Sequence, residues 1–333
     1  MTIDQTIKTT LYLAVAQLKA ANYPKSHDAK LEVADTESSA FEARFLLQHV
    51  LNVNHAWLIA HEHDALQANI HEAYGALINR RVNGEPIAYI LGYREFFGLM
   101  LKVTPDTLIP RSDTETLVDA ALAKISFTVR QVHQERILLT PTCPEPVEGC
   151  GNVAISTISE TVQHLHILDL GTGSGAIALA IAKRRPHTFL TAVDACQAAL
   201  DIAIGNAQSL YISNVEFLLS DWFDALKLND DHTKFDVIVS NPPYIEALDA
   251  HLNQGDLRFE PLSALASGAD GLDDIRQIIT QAPLHLNPQG WLMLEHGYNQ
   301  ADAVALLLKQ AGFNDIEHVK DLAGINRVTI GRI

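Results

Sequence analysis

The chain has 333 residues, 47% hydrophobic and 19% charged, the balance of a globular protein with room for two domains rather than of a disordered one. Its formal charge of −16 opposes non-specific attraction to nucleic acid or to an anionic membrane. No run reaches the roughly 18 apolar residues of a membrane span, and three cysteines, Cys143, Cys150 and Cys196, complete neither a disulfide set nor a zinc site.

The opening Met1-Thr2-Ile3-Asp4-Gln5 has no basic region followed by an apolar stretch, so a cytoplasmic protein is expected. From residue 1 to about 85 the periodicity is helical, through 11–19 and 70–82; after Ser38-Ser39, Phe41, Phe45, Leu46 and Val50 fall on one helical face. A small helical bundle is predicted. It carries no cluster of catalytic residue types, which leaves it to pack on its neighbour or hold a partner. His61 and His63 lack further ligands nearby, and no metal is expected.

Between Pro86 and Thr114 aromatic and aliphatic clusters are punctuated by Gly and Pro: Tyr89-Ile90-Leu91-Gly92-Tyr93, Phe96-Phe97-Gly98-Leu99 and Leu108-Ile109-Pro110-Arg111. This predicts a β-hairpin linker over 86–112. Helical spacing resumes over 114–124. From about 126 to 163, Pro141, Pro144, Pro146, Gly149 and Gly151 interrupt any regular element, which predicts a mobile surface insertion.

The second half reads as alternating strands and helices. His166-Ile167-Leu168-Asp169-Leu170 is a buried-strand pattern running into Gly171-Thr172-Gly173-Ser174-Gly175 and then into the strong helix former from Ala176 to Ala182, the order of a nucleotide-binding first crossover. The G-x-G-x-G spacing, with Asp169 two residues ahead, suits a nucleoside with an amino-acid tail better than a pyrophosphate. The next strand ends in Asp194, where a carboxylate reaches ribose hydroxyls or caps the following helix. A third strand, 215–219, ends in Ser220-Asp221-Trp222-Phe223, and an acid and an indole at that rim can hydrogen-bond and stack on an adenine; equally, Trp222 can be core.

A fourth strand, Phe235-Asp236-Val237-Ile238-Val239-Ser240, leads into Asn241-Pro242-Pro243-Tyr244. An amide or aromatic amine nitrogen is a poor nucleophile because its lone pair is delocalised. The Asn241 side-chain carbonyl and the Pro242 backbone carbonyl can accept the two hydrogens of an NH2 group and so turn that lone pair toward an incoming methyl. Tyr244 offers a flat face. The alternative is a Pro-Pro turn with Asn as a turn former. A helix from Asp273, a strand over 291–297, a helix over 301–310 and a closing hairpin at 316–319 and 327–330 bring the total to seven strands. One cleft at the strands' carboxyl ends would then collect Asp169, Gly171, Gly173, Asp194, Trp222 and Asn241.

At these residues the sequence resembles the seven-stranded S-adenosyl-L-methionine-dependent methyltransferases and, within them, the protein release factor glutamine N5-methyltransferases. The closer likeness rests on Glu85-Pro86-Ile87-Ala88-Tyr89-Ile90-Leu91-Gly92, Leu108-Ile109-Pro110-Arg111 with Asp113-Thr114-Glu115, the 169–175 loop, Ser220-Asp221-Trp222-Phe223, Asn241-Pro242-Pro243-Tyr244, Arg258-Phe259-Glu260-Pro261 and Leu294-Glu295-His296-Gly297. It implies an α/β fold: a Rossmann-like seven-stranded sheet over 113–333, a helical substrate-docking domain over 1–85 and the linker between them.

By this resemblance Asp169, Gly171, Thr172, Gly173, Ser174, Gly175, Asp194, Asp221, Trp222 and Asn241 contact S-adenosyl-L-methionine. Asn241, Pro242, Pro243 and Tyr244 hold the substrate, with Asn241, Pro242 and Tyr244 catalytic. The partner implied is a bacterial class 1 peptide chain release factor, methylated in line on the glutamine of its Gly-Gly-Gln loop; the enzyme is expected to be a monomer that binds neither membrane nor nucleic acid directly. Ser112 departs from the proline usual in the family, and the 126–163 insertion has no counterpart in it. The rival enzyme is an adenine-N6 methyltransferase, which needs a basic track along phosphates that this acidic chain lacks. A binding module keeping the fold only as scaffold is the rival of another class.

Overall fold

The computed structural model describes residues 6–21, 29–126, 165–226 and 234–333, in two compact units. Beyond residue 126, the expected insertion at 126–163 lies outside the described residues, as do Cys143 and Cys150.

The first unit comprises Met1–Arg94, Lys102–Ile109 and Leu248–Leu262. Its helices are α1 (Ile7–Ala21), α2 (Ala29–Leu51), α3 (His55–Ala60), α4 (Ala68–Val82) and α5 (Ile87–Leu91). Ala14 and Leu18 of α1, Ala43, Leu46 and Leu47 of α2, and Tyr74 and Ile78 of α4 recur at three- and four-residue intervals and close one core. Complete burial of a leucine such as Leu46 contributes about 1.5–3 kcal/mol. Tyr74 takes its hydroxyl into that core by donating to the Ala43 carbonyl at 2.9 Å. Phe41, expected on the buried face, is 62% exposed and stacks on Phe45. The inward stripe follows Ala43, Leu46 and Leu47, which puts Phe41 on the helix flank.

Residues 87–91 also differ from a strand reading. Ala88 to Leu91 are all buried, and their backbone closes on itself, the Ile90 N–H on the Pro86 carbonyl and the Gly92 N–H on the Ala88 carbonyl; they form α5, which Gly92 ends in the left-handed region at φ +79°. The hairpin is confined to β1 (Tyr93–Phe96) and β2 (Leu99–Lys102). Residues 248–262, though far along the chain, are built into this unit. Arg81 holds Glu42 with Nε and Nη2 and Asp256 with Nη1 at 2.8 Å, Arg258 donates to the Asn83 carbonyl at 3.1 Å, and Glu260 accepts the Ile109 N–H at 3.0 Å.

The second unit holds Glu95–Leu101, Pro110–Ala247 and Ser263–Ile333. After α6 (115–126) come β3 (His166–Leu170), α7 (Ala176–Arg184), β4 (Phe189–Asp194), α8 (Gln197–Ser209), β5 (Val215–Leu219) and β6 (Phe235–Ser240). Then follow α9 (Asp273–His285), β7 (Leu286–Glu295), α10 (Ala301–Gln310), β8 (Asn314–Lys320) and β9 (Asn326–Arg332). The sheet has seven strands in the order β5-β4-β3-β6-β7-β9-β8. The first five run parallel and β9 is antiparallel to both its neighbours.

The apolar runs are continuous because both faces are covered. Ile167, Val237, Val239 and Met293 point into one core with α6 and α7, while Leu168, Ile238, Leu292 and Leu294 point into another with α9 and α10. The strand order reverses at β3, with β4 to one side and β6 to the other, and crevices for ligands open at the carboxyl ends beside such a reversal. No helix among the described residues is long and apolar enough to cross a membrane.

Candidate active site

The glycine loop begins where β3 ends. Asp169, the only acid in that strand, is fully buried; its Oδ2 accepts from Thr172 Oγ1 at 2.7 Å and from the Ala178 N–H at 3.1 Å, and its Oδ1 has no partner. Burial pushes its carboxyl up to about 7 against the pull of those two donors. The carboxyl thus staples the loop to the first turn of α7. Gly171 adopts φ +69°, and a Cβ there would stand 3.4 Å from the Trp222 ring. Gly175, at φ +83°, would place a Cβ 3.0 Å from Leu179 and 3.2 Å from Ala203, so its absence lets the loop lie directly on α7 and α8.

Asp194, at the end of β4, accepts the Gly173 N–H on Oδ2 at 2.8 Å and the Cys196 N–H on Oδ1 at 2.9 Å. Burial raises its pKa and these two N–H groups oppose the shift. The capping reading of Asp194 therefore holds in part: it caps the turn leading into α8, while each oxygen keeps a further lone pair. At the end of β5, Ser220 donates its N–H to the Asp194 carbonyl at 3.0 Å and its Oγ to the Trp222 carbonyl at 2.9 Å. This holds Trp222 at φ +44°, its ring against Gly171 and partly packed on the core below. Asp221 is exposed. Thr172 and Ser174 are buried, the Thr172 hydroxyl turned inward to Asp169 and the Ser174 carbonyl accepting from Asn206.

On the other side of β3, Ser240 closes β6 by donating to the Leu170 carbonyl at 2.8 Å. The next residue, Asn241, donates Nδ2 to Thr114 Oγ1 at 3.1 Å, which leaves Oδ1 on the opposite side of its amide. Pro242 is buried and Pro243 half-buried. Tyr244 reaches Glu295 Oε1 with its hydroxyl at 3.5 Å and accepts from Gln300 Nε2 on its carbonyl at 3.0 Å. Burial beside Glu295 raises the Tyr244 phenol, which stays protonated. One rim, formed by the ends of adjacent strands β5, β4, β3 and β6, therefore holds Trp222, Asp194, Asp169, the glycine loop and Asn241. Among the described residues no group of three acids, histidines or cysteines is placed to hold a metal.

Three residues of this rim had no role in the sequence reading. Glu295, at the end of β7, is 1% exposed, and burial pushes it up to about 7; its Oε2 has no partner. Thr114 joins it to Asn241. Gln300 gathers the Tyr244 and Gly271 carbonyls and the Gly297 N–H. Glu295 and Thr114 stand in two of the stretches that carry the family likeness, Leu294-Glu295-His296-Gly297 and Asp113-Thr114-Glu115, with no role assigned to them there; for Gln300 no local pattern exists.

A doubly wound parallel sheet with an antiparallel closing hairpin, a G-x-G-x-G loop stapled by a buried acid and Asn-Pro-Pro-Tyr on the next strand end define a methyltransferase. Residues 161–324 match the methyltransferase domain family and residues 25–92 the PrmC N-terminal domain family. The chain is 42% identical over 306 residues to the release factor glutamine methyltransferase of Salmonella typhimurium, covering 92% of this chain and 96% of that one. It is 43% identical over 304 residues to that of Xylella fastidiosa (91% and 97% covered) and 41% identical over 305 residues to that of Escherichia coli (92% and 96% covered). A solved methyltransferase from Pyrococcus furiosus aligns over 76% of this chain and 96% of its own, at 16% identity and a TM-score of 0.44. The chain belongs to the release factor glutamine methyltransferase family.

Proposed function

We propose that this protein transfers a methyl group from S-adenosyl-L-methionine to the side-chain amide nitrogen, N5, of the glutamine in the Gly-Gly-Gln loop of bacterial class 1 peptide chain release factors. The observation that carries the reading is Asn241, held by Thr114 through Nδ2 at the carboxyl end of β6 beside the glycine loop, in a chain of this family.

The loop fits the cofactor on its own terms. Gly171 is bare against the Trp222 ring, Gly173 has open space where a side chain would stand, and Asp194 sits behind the Gly173 N–H with lone pairs to spare. Gly171, Gly173, Asp194 and Trp222 would hold S-adenosyl-L-methionine, with Thr172, Ser174 and Gly175 shaping the loop and Asp221 at its edge; Asp169, expected among the contacts, is fully buried and acts from beneath by stapling the loop. When bound, the cofactor supplies an electrophilic methyl group for direct in-line transfer.

The chain's own residues do the rest by positioning, worth about 7–11 kcal/mol of barrier where the alignment is good. Asn241 Oδ1 and the Pro242 carbonyl accept the two hydrogens of the substrate amide and hold its nitrogen with the lone pair free. As the nitrogen gains positive charge, the same two acceptors stabilise it without reorganising, and the charge is discharged when the now acidic nitrogen loses one of its two hydrogens as a proton, leaving the neutral N-methyl amide. Pro243 fixes the backbone, and the half-buried Tyr244 offers its ring to the planar amide.

The test is mass spectrometry of a purified bacterial class 1 release factor after incubation with this protein and S-adenosyl-L-methionine. One added methyl mapped to the Gly-Gly-Gln glutamine is expected. A release factor left unmodified by a protein that still binds the cofactor would overturn the substrate assignment.

A further inference from the structure

Four side chains from three separate stretches meet at the Asn-Pro-Pro-Tyr turn. Asn241 Nδ2 donates to Thr114 Oγ1 at 3.1 Å, and Tyr244 directs its hydroxyl at Glu295 Oε1 at 3.5 Å. Thr114 is 4% exposed, and its hydroxyl acts on the Glu295 carboxyl as a hydrogen-bond donor. Glu295 is buried at the end of β7, with Oε2 unpartnered. Both ends of the tetrapeptide are thereby referred to one carboxyl.

The direction of this relay follows from the inventory of donors. A threonine hydroxyl has one hydrogen. When Glu295 is ionised it can only accept, so Thr114 gives that hydrogen to it and has only lone pairs left for Asn241. Asn241 must then present Nδ2 to Thr114 and Oδ1 away from it, the orientation observed. When Glu295 is protonated the hydrogens can run in reverse, from Glu295 to Thr114 and from Thr114 to the oxygen of an Asn241 amide turned by half a revolution. The first polarity offers the substrate NH2 an acceptor; the second opposes it with another NH2.

We infer that Thr114 and Glu295 are positioning residues that set the polarity of the Asn241 amide, ionised Glu295 keeping its oxygen toward the substrate nitrogen. This rests on the methyl transfer proposed above and adds the control of its acceptor. The groups facing Glu295 are Arg327 of β9, which favours its charged form, Asp113 of the turn before α6, which opposes it, and the Thr114 and Tyr244 hydroxyls. Arg327 is itself shared between Asp321 at 3.0 Å and Asp113 at 3.1 Å. Burial outweighs these influences and brings the carboxyl up to about 7, so the switch falls in the range where enzymes are assayed.

The experiment compares wild type, Thr114→Val, Thr114→Ser and Glu295→Gln on a purified bacterial class 1 release factor, measuring kcat across pH and the cofactor Kd by calorimetry. Thr114→Val keeps the shape of the side chain and removes the hydroxyl. It should lose about 10–100-fold in kcat, the size expected of a misdirected catalytic group, with cofactor Kd unchanged, and Thr114→Ser should restore most of it. Wild-type kcat should rise with pH through about 7, and Glu295→Gln should flatten that rise. Wild-type kcat and an unaltered pH profile in Thr114→Val would overturn the inference. If the wild type left the release factor unmodified, the proposed function would fall instead. The Asn241 side-chain NH2 resonance would then decide the present point, because it should move with pH in the wild type and stay still in Glu295→Gln; a wild-type resonance indifferent to pH refutes the relay.

Discussion

The ends of β3 and β7 each carry a buried carboxyl, Asp169 and Glu295, each raised to about 7 by burial and each with one oxygen unpartnered. They differ in where their partners come from. Asp169 is served from three and nine residues along the chain, by Thr172 and the Ala178 N–H. Glu295 faces Tyr244, 51 residues away, and through Thr114 touches Asn241, itself 127 residues from Thr114. A local staple shapes a loop as soon as strand and helix form; a long-range one exists only once the sheet has assembled. The Asp169 staple of the glycine loop therefore rests on local geometry and the backing of Asn241 on tertiary geometry, and substitutions should separate the two.

The sharpest separation is expected at Asn241. If Asn241 and Pro242 act as proposed, Asn241→Ala removes one of two acceptors aimed at developing charge and should lower turnover by about 10²–10³-fold, leaving cofactor affinity nearly intact by calorimetry. An equal loss in cofactor affinity would erase the contrast between the two sides. Next comes Gly271, at φ +72°, where a Cβ would lie 2.3 Å from the Tyr244 carbonyl and 2.7 Å from Gln300 Nε2. Gly271→Ala must displace the turn from behind. A turnover loss of about 10–100-fold is expected from the misplacement, with destabilisation of about 1–3 kcal/mol from the strained backbone, read by rate assay and denaturant melting. Normal turnover in this variant would show that the turn does not depend on its tertiary backing.

On the cofactor side, Asp194→Ala leaves the Gly173 and Cys196 N–H groups without their acceptor. It should weaken cofactor binding by about tenfold, the cost of one or two lost hydrogen bonds, while kcat at saturating cofactor stays close to wild type. An unchanged Kd would remove Asp194 from the cofactor's contacts.

The smallest effect is one of pH on stability. The Asp169 carboxyl is raised from 3.8 to about 7, so folding favours its protonated form. That contribution is complete below the unfolded value and is lost as pH rises through the folded one. The Tm of the cofactor-free wild type should fall between pH 4 and 7 more steeply than that of Asp169→Asn, which has no proton to lose there. Parallel Tm curves for the two proteins would show that Asp169 does not ionise across this window.

Much of the glycine-loop side of the rim was legible in the residues. A β-branched run into spaced glycines and then an alanine-rich helix is a local pattern, and so is an acid closing the next strand; period and turn chemistry suffice to place Asp169, Gly171, Gly173 and Asp194 at strand ends. Asn241 was placed in the same way, as the first residue beyond an apolar strand. What surrounds it was not legible. The pairing of Asn241 with Thr114, the burial of Glu295 under Tyr244 and the grip of Gln300 on the Tyr244 carbonyl join residues that share no periodicity. The same holds for the Arg81–Asp256 pair that builds residues 248–262 into the first unit. By itself the sequence determined which residues stand on the rim, because hydrophobic period and glycine conformation act within a few residues. Only the tertiary structure decided which way the Asn241 amide faces, because its Nδ2 donates to the hydroxyl oxygen of a distant threonine, which stands beside a carboxyl buried by a sheet no local segment encodes.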